Sequence, residues 1–297
     1  MKIYAELIRN YKKYEIKSLY DNKLSAIHEL FLQPGEFILG PDFNKPTSKL
    51  GIVVDYILSF RKKGNTIIDS IILACKKAHY YENSINDTRI KSIIKSGLYY
   101  YINAYKAESN VILLSSKDRA TVETCYNNLV GKKQIVNLIA PKDFFGDPIE
   151  TYNEDAFFIN VDATYQDKKC SLKLKMKADN WTIDVDKKIL TLNDLKTTGH
   201  ALNTFMENSF IHYHYSRQFA MYLWMLIQYC IKTYDFNFDE WKVNCNVIVV
   251  ETIEDKHSCI FPINSKFLYE GKNEFFRLLK MVAYCEMHEY DDNFNFI

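Results

Sequence analysis

One stretch decides the interpretation of this 297-residue chain: Ile189-Leu190-Thr191-Leu192-Asn193-Asp194-Leu195-Lys196-Thr197-Thr198-Gly199. Its apolar first half predicts a β-strand, and the strand ends in an acid and a lysine two residues apart. Side chains two apart on a strand point to the same face of the sheet. Asp194 and Lys196 are therefore expected to place a ligand for a hard metal ion beside a cation.

The context of Asp194 matters more than the triplet itself, because eight triplets of an acid, any residue and a lysine occur in the chain. Residues 171–179 predict a second strand, which ends in Asp179. Its alternation predicts an apolar face and a second face shared by Asp179 with Lys173, Lys175 and Lys177. Two acids and a lysine, each at the end of a strand, are the parts of a magnesium-dependent phosphodiesterase site.

The remaining patterns predict a mixed α/β fold. Strands are expected at 156–163, 171–179, 189–196, 243–250 and 258–263, and helices at 49–63, 66–80, 86–106, 118–130, 211–233 and 267–287. The second half of the chain thus reads helix, three-strand meander, helix and strand, which predicts a mixed sheet with helices on its faces. Residues 1–150 are expected to form a mostly helical region packed on a core at 151–297, the two making one compact unit.

Composition excludes several classes of protein. The 47% hydrophobic and 25% charged fractions are those of an ordinary soluble domain. The seven cysteines contain no CxxC pair, which argues against a zinc site, a disulfide framework or an iron–sulfur nuclease. No apolar run reaches the roughly 18 residues of a membrane span and no signal peptide is recognised, so a cytoplasmic protein without membrane contact is expected. Residues 1–100 hold 16 basic and 10 acidic residues, either a surface for phosphate or a merely solvated one.

The predicted helix at 211–233 adds polar side chains. Gln218 and Tyr222 are four residues apart and share a face of that helix. Arg217 flanks them, and His214 is expected one helical turn earlier. The pattern allows two readings, since Tyr222 can belong to the core with Gln218 incidental, or both can serve a site.

Taken together, three segments resemble the PD-(D/E)XK nuclease superfamily, and within it the RecB-like and RecE-like phage exonucleases: Lys177-Ala178-Asp179, Asp194-Leu195-Lys196-Thr197-Thr198 and Gln218-x-x-x-Tyr222. The resemblance covers roughly residues 155–250. It implies a restriction-endonuclease-like core with a helical amino-terminal elaboration. Gly51-Ile52-Val53-Val54-Asp55 resembles the family's G-x-x-x-His segment, with aspartate where histidine is common. Asp55 is then either a further metal ligand or an exposed acid on an amphipathic helix.

The resemblance also implies a role for each matching residue. Asp179 and Asp194 would hold Mg²⁺, or Mn²⁺ in its place, together with the main-chain carbonyl of Leu195. Lys196 would orient the attacking water or stabilise charge on the phosphate, and a depressed pKa is expected for it. Gln218 and Tyr222 would contact DNA phosphate or the water. Contacts with the DNA backbone are expected from Lys175, Lys177, Thr197, His214 and Arg217.

The expected activity is that of a Mg²⁺-dependent exonuclease that degrades linear double-stranded DNA from an end, in phage-type recombination or DNA processing. The resemblance implies a single-strand annealing protein as partner, a ring-like homo-oligomer, and the host cytoplasm as location for a phage-encoded chain. Two alternatives stay open: an endonuclease or junction-resolving nuclease on the same core, and a catalytically inactive nucleic-acid-binding module. Polarity and strand preference do not follow from the sequence.

Overall fold

The computed structural model describes residues 22–40, 45–106, 110–165, 168–234, 236–253 and 255–287. They divide into two units, one formed by the described residues of 22–30 and 34–123 and the other by those of 31–33 and 124–287. The units are described separately, as the helical unit and the sheet unit.

The helical unit is built mainly from α-helices and one small parallel strand pair. Its core lies between three helices, where Val53, Val54 and Ile57 of one helix face Ile71 and Ile93 of the other two. The spacing of these buried residues is that of a helix face packed against neighbours. The elements are α1 (Asn22–Leu32, which ends in the sheet unit), β1 (Ile38–Leu39), α2 (Ser48–Lys62), α3 (Ile67–Lys77), α4 (Asp87–Lys106), β2 (Val111–Ile112) and α5 (Ser116–Val130, which also ends in the sheet unit).

The sheet unit contains a five-stranded mixed sheet with helices packed on it. The sheet has the order β3-β4-β5-β6-β7, in which β5 and β6 are parallel and the other neighbours are antiparallel. The predicted fold class, with its order of helix, three-strand meander, helix and strand, is confirmed. The elements are α6 (Lys133–Ile139), β3 (Glu150–Tyr165), β4 (Lys168–Asp184), β5 (Ile189–Thr198), a 3₁₀ turn (Leu202–Thr204), a π-helical turn (Met206–Ile211), α7 (Tyr215–Thr233), β6 (Lys242–Glu251), β7 (Ser258–Pro262) and α8 (Ser265–Met287).

The centre of the sheet is dry on both faces. In β6, Val247 through Val250 are fully buried, as expected for a continuous apolar run in a central strand. Trp181 of β4 packs in the main core with Phe210 and with Phe219 of α7. Polar side chains in this sheet are therefore held in a water-poor environment, where an unpaired polar group is unfavourable.

Along β3 and β4, the set of alternate side chains that points into the core switches at the level of Glu154 and Asp179. Main-chain pairing joins Asn153 to Asn180 and resumes at Asp155 and Ala178, so Glu154 and Asp179 lie opposite each other without a regular pairing. The backbone of Glu154 is left-handed, with φ of 53°. Such an interruption bends a strand and redirects its side chains, as β-bulges do.

Packing on either side of this level shows the change. In β3, Tyr152 contacts the main core before Glu154, but Phe157 and Ile159 contact it afterwards, so the inward positions pass from even to odd numbers. In β4 the same core holds Met176 and Ala178 on one side of Asp179 and Trp181 and Ile183 on the other. The alternation predicted for residues 171–179 therefore ends at Ala178, and Asp179 lies at the change of face.

The helix predicted at 211–233 is not continuous. His214 has a left-handed backbone, with φ of 55°, and precedes the first residue of α7. A residue in that conformation ends the turn before it, so His214 is the cap of α7 and not a position one turn earlier on the same helix. The break lets Phe210, before it, and Tyr215, after it, pack against each other.

None of the helices in the described residues is long and apolar enough to cross a membrane.

Candidate active site

The site begins where two strands of the sheet unit separate. Main-chain pairing between β4 and β5 runs from Asp184 and Ile189 to Asn180 and Asn193 and then stops. At the next level, the N–H of Leu195 donates to Asp179 Oδ2 at 2.8 Å. The carboxylate thus takes the place of a main-chain acceptor, as a buried N–H requires. This opening brings Asp179 beside the segment that carries Asp194.

Asp194 is almost fully buried, with 2% of its surface exposed. Its Oδ1 accepts a hydrogen bond of 3.0 Å from Nε2 of Gln218 on α7, and its Oδ2 forms an ion pair with the ammonium group of Lys196. Nζ of Lys196 also lies 4.9 Å from the centre of the Tyr215 ring. A strand and a helix therefore fix the acid and the lysine from two directions.

Tyr222 completes the cluster one turn after Gln218. Burial raises the pKa of its hydroxyl, and the charge of Asp194 adds to this effect, while Lys196 and a hydrogen bond from Gln218 act in the opposite direction. Tyr222 therefore keeps its proton at neutral pH and can donate it in a hydrogen bond. Asp179, Asp194, Lys196, Gln218 and Tyr222, all derived from the sequence, are thus close together.

Glu154 is a residue of this cluster that sequence reasoning missed. Carboxylate oxygens of Glu154 and Asp179 lie within 4.8 Å of each other. The ammonium group of Lys177 forms an ion pair with Glu154 on the same side. A signal was present in the polar run Asn153-Glu154-Asp155, which interrupts the apolar alternation of the first strand opposite Asp179.

The two neighbouring carboxylates fit a divalent cation. Burial raises the pKa of Asp179 to about 6, although Lys196 and the N–H of Leu195 favour its ionised form. The negative charge of Glu154 raises the pKa further. Like charges so close resist ionising together, and a cation between them removes that resistance. Carboxylate oxygens are also the ligands that Mg²⁺ and Mn²⁺ prefer.

The depressed pKa predicted for Lys196 is wrong. Burial does lower the pKa of this lysine, but the charges of Asp194 and Asp179 and the contact with Asp194 outweigh burial, so the pKa is raised above its ordinary value. The prediction counted the apolar strands and left out how closely two acids approach the ammonium group. Lys196 therefore stays protonated and acts as a fixed cation.

Two lysines predicted to bind DNA have different surroundings. Lys175 is exposed, with its Nζ 5.4 Å from the centre of the Phe158 ring. Lys177 is also exposed but is held by Glu154. Lys175 is thus free to move toward a phosphate, whereas Lys177 first has to leave a carboxylate.

Three further predicted DNA contacts lie near the start of α7 or on β5. Nη1 of Arg217 lies 2.7 Å from Oε1 of Glu274 on α8, and Nδ1 of His214 lies 3.5 Å from Oε2 of the same residue. Thr197 is half-buried on β5, next to Lys196. Arg217 and His214 therefore join two helices in this structure.

A cavity of about 810 Å³ adjoins the cluster. Gln218 and Tyr222 line it together with Lys173, Lys175 and Tyr213, and other residues of β4, of α7 with its cap His214, and of α8 form the rest of its wall. The cavity therefore reaches the cluster at Gln218, which donates a hydrogen bond to Asp194.

Asp55 belongs to the helical unit. It is buried on α2 rather than exposed, and its carboxylate forms an ion pair with Lys45. Burial raises its pKa, against the effect of Lys45. Its role as a metal ligand stays a prediction.

No family model and no curated protein matches the chain. Among solved structures, one similar chain comes from Eubacterium rectale and is named "Putative exonuclease". It has 11% sequence identity and a TM-score of 0.42, over 84% of this chain and 71% of that chain. A likeness at this level carries no argument about activity.

Proposed function

We propose that this chain is a metal-dependent nuclease, and specifically a Mg²⁺-dependent exonuclease that hydrolyses linear double-stranded DNA from an end. One observation carries the proposal. Where β4 and β5 separate, Asp179 accepts a hydrogen bond from the N–H of Leu195, the residue after Asp194, and a protonated Lys196 lies against Asp194. Acids for a hard cation beside a fixed positive charge suit the hydrolysis of a phosphodiester.

Different residues of the site would bind the metal ion and stabilise the charge on the phosphate. Asp179 and Asp194, with Glu154 and the carbonyl of Leu195, would hold Mg²⁺ or Mn²⁺, which when bound offsets phosphate charge and lowers the pKa of the attacking water. Lys196 supplies positive charge where negative charge grows on the phosphate in the transition state.

The helix residues support this arrangement. The side-chain amide of Gln218 donates a hydrogen bond to Oδ1 of Asp194 and so holds the carboxylate in one orientation. Tyr222, which keeps its proton, offers a hydrogen-bond donor for a phosphate oxygen or for the water.

The DNA-specific part of the proposal comes from exposed cations and from the family resemblance. Lys173 and Lys175 line the cavity together with Gln218 and Tyr222, and we propose that they bind the phosphate backbone. A linear duplex substrate, a role in phage-type recombination, a single-strand annealing partner and a ring-like assembly are proposed from the resemblance of the motifs.

Substrate topology is the test of this proposal. We expect Mg²⁺ to allow the protein to shorten an end-labelled linear duplex, EDTA to stop the reaction, and a closed circular duplex to survive. Cutting of the circle would assign an endonuclease or junction-resolving nuclease instead. Binding of either DNA without cleavage would assign a catalytically inactive module.

A further inference from the structure

Four asparagines form one row across the sheet at the level where β4 and β5 separate. The register pairs Asn153 of β3 with Asn180 of β4, Asn180 with Asn193 of β5, and Asn193 with Asn246 of β6. Asn180 directly follows Asp179, and Asn193 directly precedes Asp194. The row is therefore adjacent, on both strands, to the acids of the candidate site.

The side chains of the row are joined by hydrogen bonds. Nδ2 of Asn246 donates to Oδ1 of Asn193 at 2.9 Å, and Nδ2 of Asn193 donates to Oδ1 of Asn180 at 2.7 Å. Nδ2 of Asn180 then donates to Oδ1 of Asn153 at 2.7 Å. The two central side chains, of Asn180 and Asn193, are fully buried. This asparagine row thus runs from β6 to β3 through the centre of the sheet.

Two carbonyl groups at the end of α6 fix the donor-to-acceptor direction of the hydrogen bonds in the row. Nδ2 of Asn193 also donates to the carbonyl of Leu138 at 3.1 Å, and Nδ2 of Asn180 to the carbonyl of Ile139 at 3.0 Å. A carbonyl only accepts, so both amides have to present their nitrogen to the helix. The same bonds satisfy carbonyls that the end of a helix leaves without partners.

A row of asparagine side chains is unusual in the interior of a buried sheet. Asparagine is depleted in strands, and a buried amide is unfavourable unless it is hydrogen-bonded. What the row provides is a unique register, because a slip by one residue breaks every bond in it. Such a slip would also turn Asp179 and Asp194 to the other faces of their strands.

We propose that the asparagine row is a positioning device, which fixes Asp179 and Asp194 relative to each other so that both can bind one divalent cation. The main-chain pairing of β4 and β5 ends at the row, so Asn180 and Asn193 are the last links before the acids. Its effect on cleavage rests on the proposed nuclease function, whereas its effect on metal binding does not.

The test compares Asn193→Ala with Thr191→Val. Thr191 is a matched control because it is buried on the same strand, on the same side and two residues farther from Asp194. Mn²⁺ binding is measured by calorimetry without DNA, and kcat and KM are measured on linear duplex at a temperature where both variants are folded. We expect Asn193→Ala to weaken Mn²⁺ binding about tenfold or more, as loss of a group that orients metal ligands does.

The same variant should lower kcat by about tenfold or more at saturating Mg²⁺, with KM for DNA unchanged, because the row touches no substrate. Thr191→Val should change neither quantity. A folded Asn193→Ala that binds Mn²⁺ like wild type, or equal losses in the two variants, overturns the proposal. If Asn193→Ala does not fold, Asn246→Ala, which removes one donated bond at the end of the row, takes its place with the same criteria.

The two proposals fail in different ways. A wild-type chain that binds Mn²⁺ but cleaves no DNA contradicts the nuclease function and leaves the Mn²⁺ comparison to decide on the row. A wild-type chain that binds no Mn²⁺ contradicts both.

Discussion

Lys196 lies near two acids, Asp194 and Asp179, and its ammonium group forms an ion pair with Asp194. Asp194 has 3% of its side chain exposed and Lys196 has 17%, so water screens the pair poorly. Asp179 adds a second negative charge that raises the pKa of the lysine. Removal of the lysine alone therefore leaves the carboxylate of Asp194 buried without this cation beside it.

Lys196→Ala should lower the free energy of unfolding by about 3 kcal/mol in metal-free buffer, because Asp194 is left buried without its cation. Lys266→Ala is the control, since that lysine is 80% exposed and its pairing with Glu270 contributes little. Chemical denaturation of the two variants and wild type at pH 8 measures the difference. Equal stability of the two variants would show that the ion pair of Lys196 contributes nothing.

Asp179 should make the metal-free protein less stable as pH rises. Its folded-state pKa of about 6 lies above the ordinary value of 3.8. The folded chain therefore holds this proton more tightly than the unfolded chain, and the resulting stabilisation is lost between about pH 4 and pH 6. Asp179→Asn removes the titrating group. The free energy of unfolding of this variant minus that of wild type should therefore increase by about 2 kcal/mol from pH 4 to pH 7. Denaturation curves across this range measure it, and a constant difference between the two proteins would contradict the assignment.

At the scale of elements, the bend in the β3–β4 pair is the feature that shapes the site. Glu154 and Asp179 lie opposite each other where the inward face changes, and Glu154 adopts a backbone that costs a residue with a side chain about 1 kcal/mol. Strain of this kind persists where the surrounding structure enforces it, and it is often found near functional groups.

Glu154→Gly should be more stable than Glu154→Ala by about 1 kcal/mol, because only glycine adopts the left-handed conformation without strain. Both variants lose the carboxylate and the ion pair with Lys177, so the comparison isolates the backbone. Chemical denaturation gives the order of stability. In a regular strand the alanine variant would be the more stable, and that order would rule out the bend.

Gly271 sets how closely α8 approaches the start of α7. A Cβ atom there would lie 2.1 Å from the main-chain oxygen of Ser216, two residues before Gln218. Gly271→Ala should therefore destabilise the protein by about 2 kcal/mol despite the better helix propensity of alanine. Gly199→Ala, where no atom lies within 4 Å of the added Cβ, should be close to neutral. Thermal denaturation distinguishes the two, and equal melting temperatures would contradict the tight packing of these helices.

Local patterns predicted the strands well and the breaks poorly. The apolar run before Asp194 is sufficient to predict β5, because a buried strand shows its character in its own residues. The bend at Glu154 depends on the partner strand, and the break at His214 depends on how Phe210 and Tyr215 pack, so neither appears in a periodic pattern. The asparagine row is likewise visible only after four strands have been placed in register.

At the scale of the whole molecule, the sheet unit alone contains the acids, the lysine and the helix residues of the candidate site. The formal net charge of the chain is +1, so under the proposed function attraction to DNA would have to come from local positive surface and a bound cation rather than from overall charge. Among the described residues, Lys173 and Lys175 of β4, which line the cavity, form one exposed basic surface of this kind.

The cleavage rate of Asp194→Ala is the direct test of the proposed metal-dependent nuclease activity. Asp255→Ala is the matched control, because this acid of the same unit has 83% of its side chain exposed. Wild type, Asp194→Ala and Asp255→Ala are incubated with an end-labelled linear duplex and Mg²⁺, with EDTA added to a parallel series. We expect cleavage by wild type and Asp255→Ala, its loss in EDTA, and a rate lower by a factor on the order of 1,000 in Asp194→Ala. Cleavage by folded Asp194→Ala at the wild-type rate, or the absence of Mg²⁺-dependent cleavage in wild type, would contradict it.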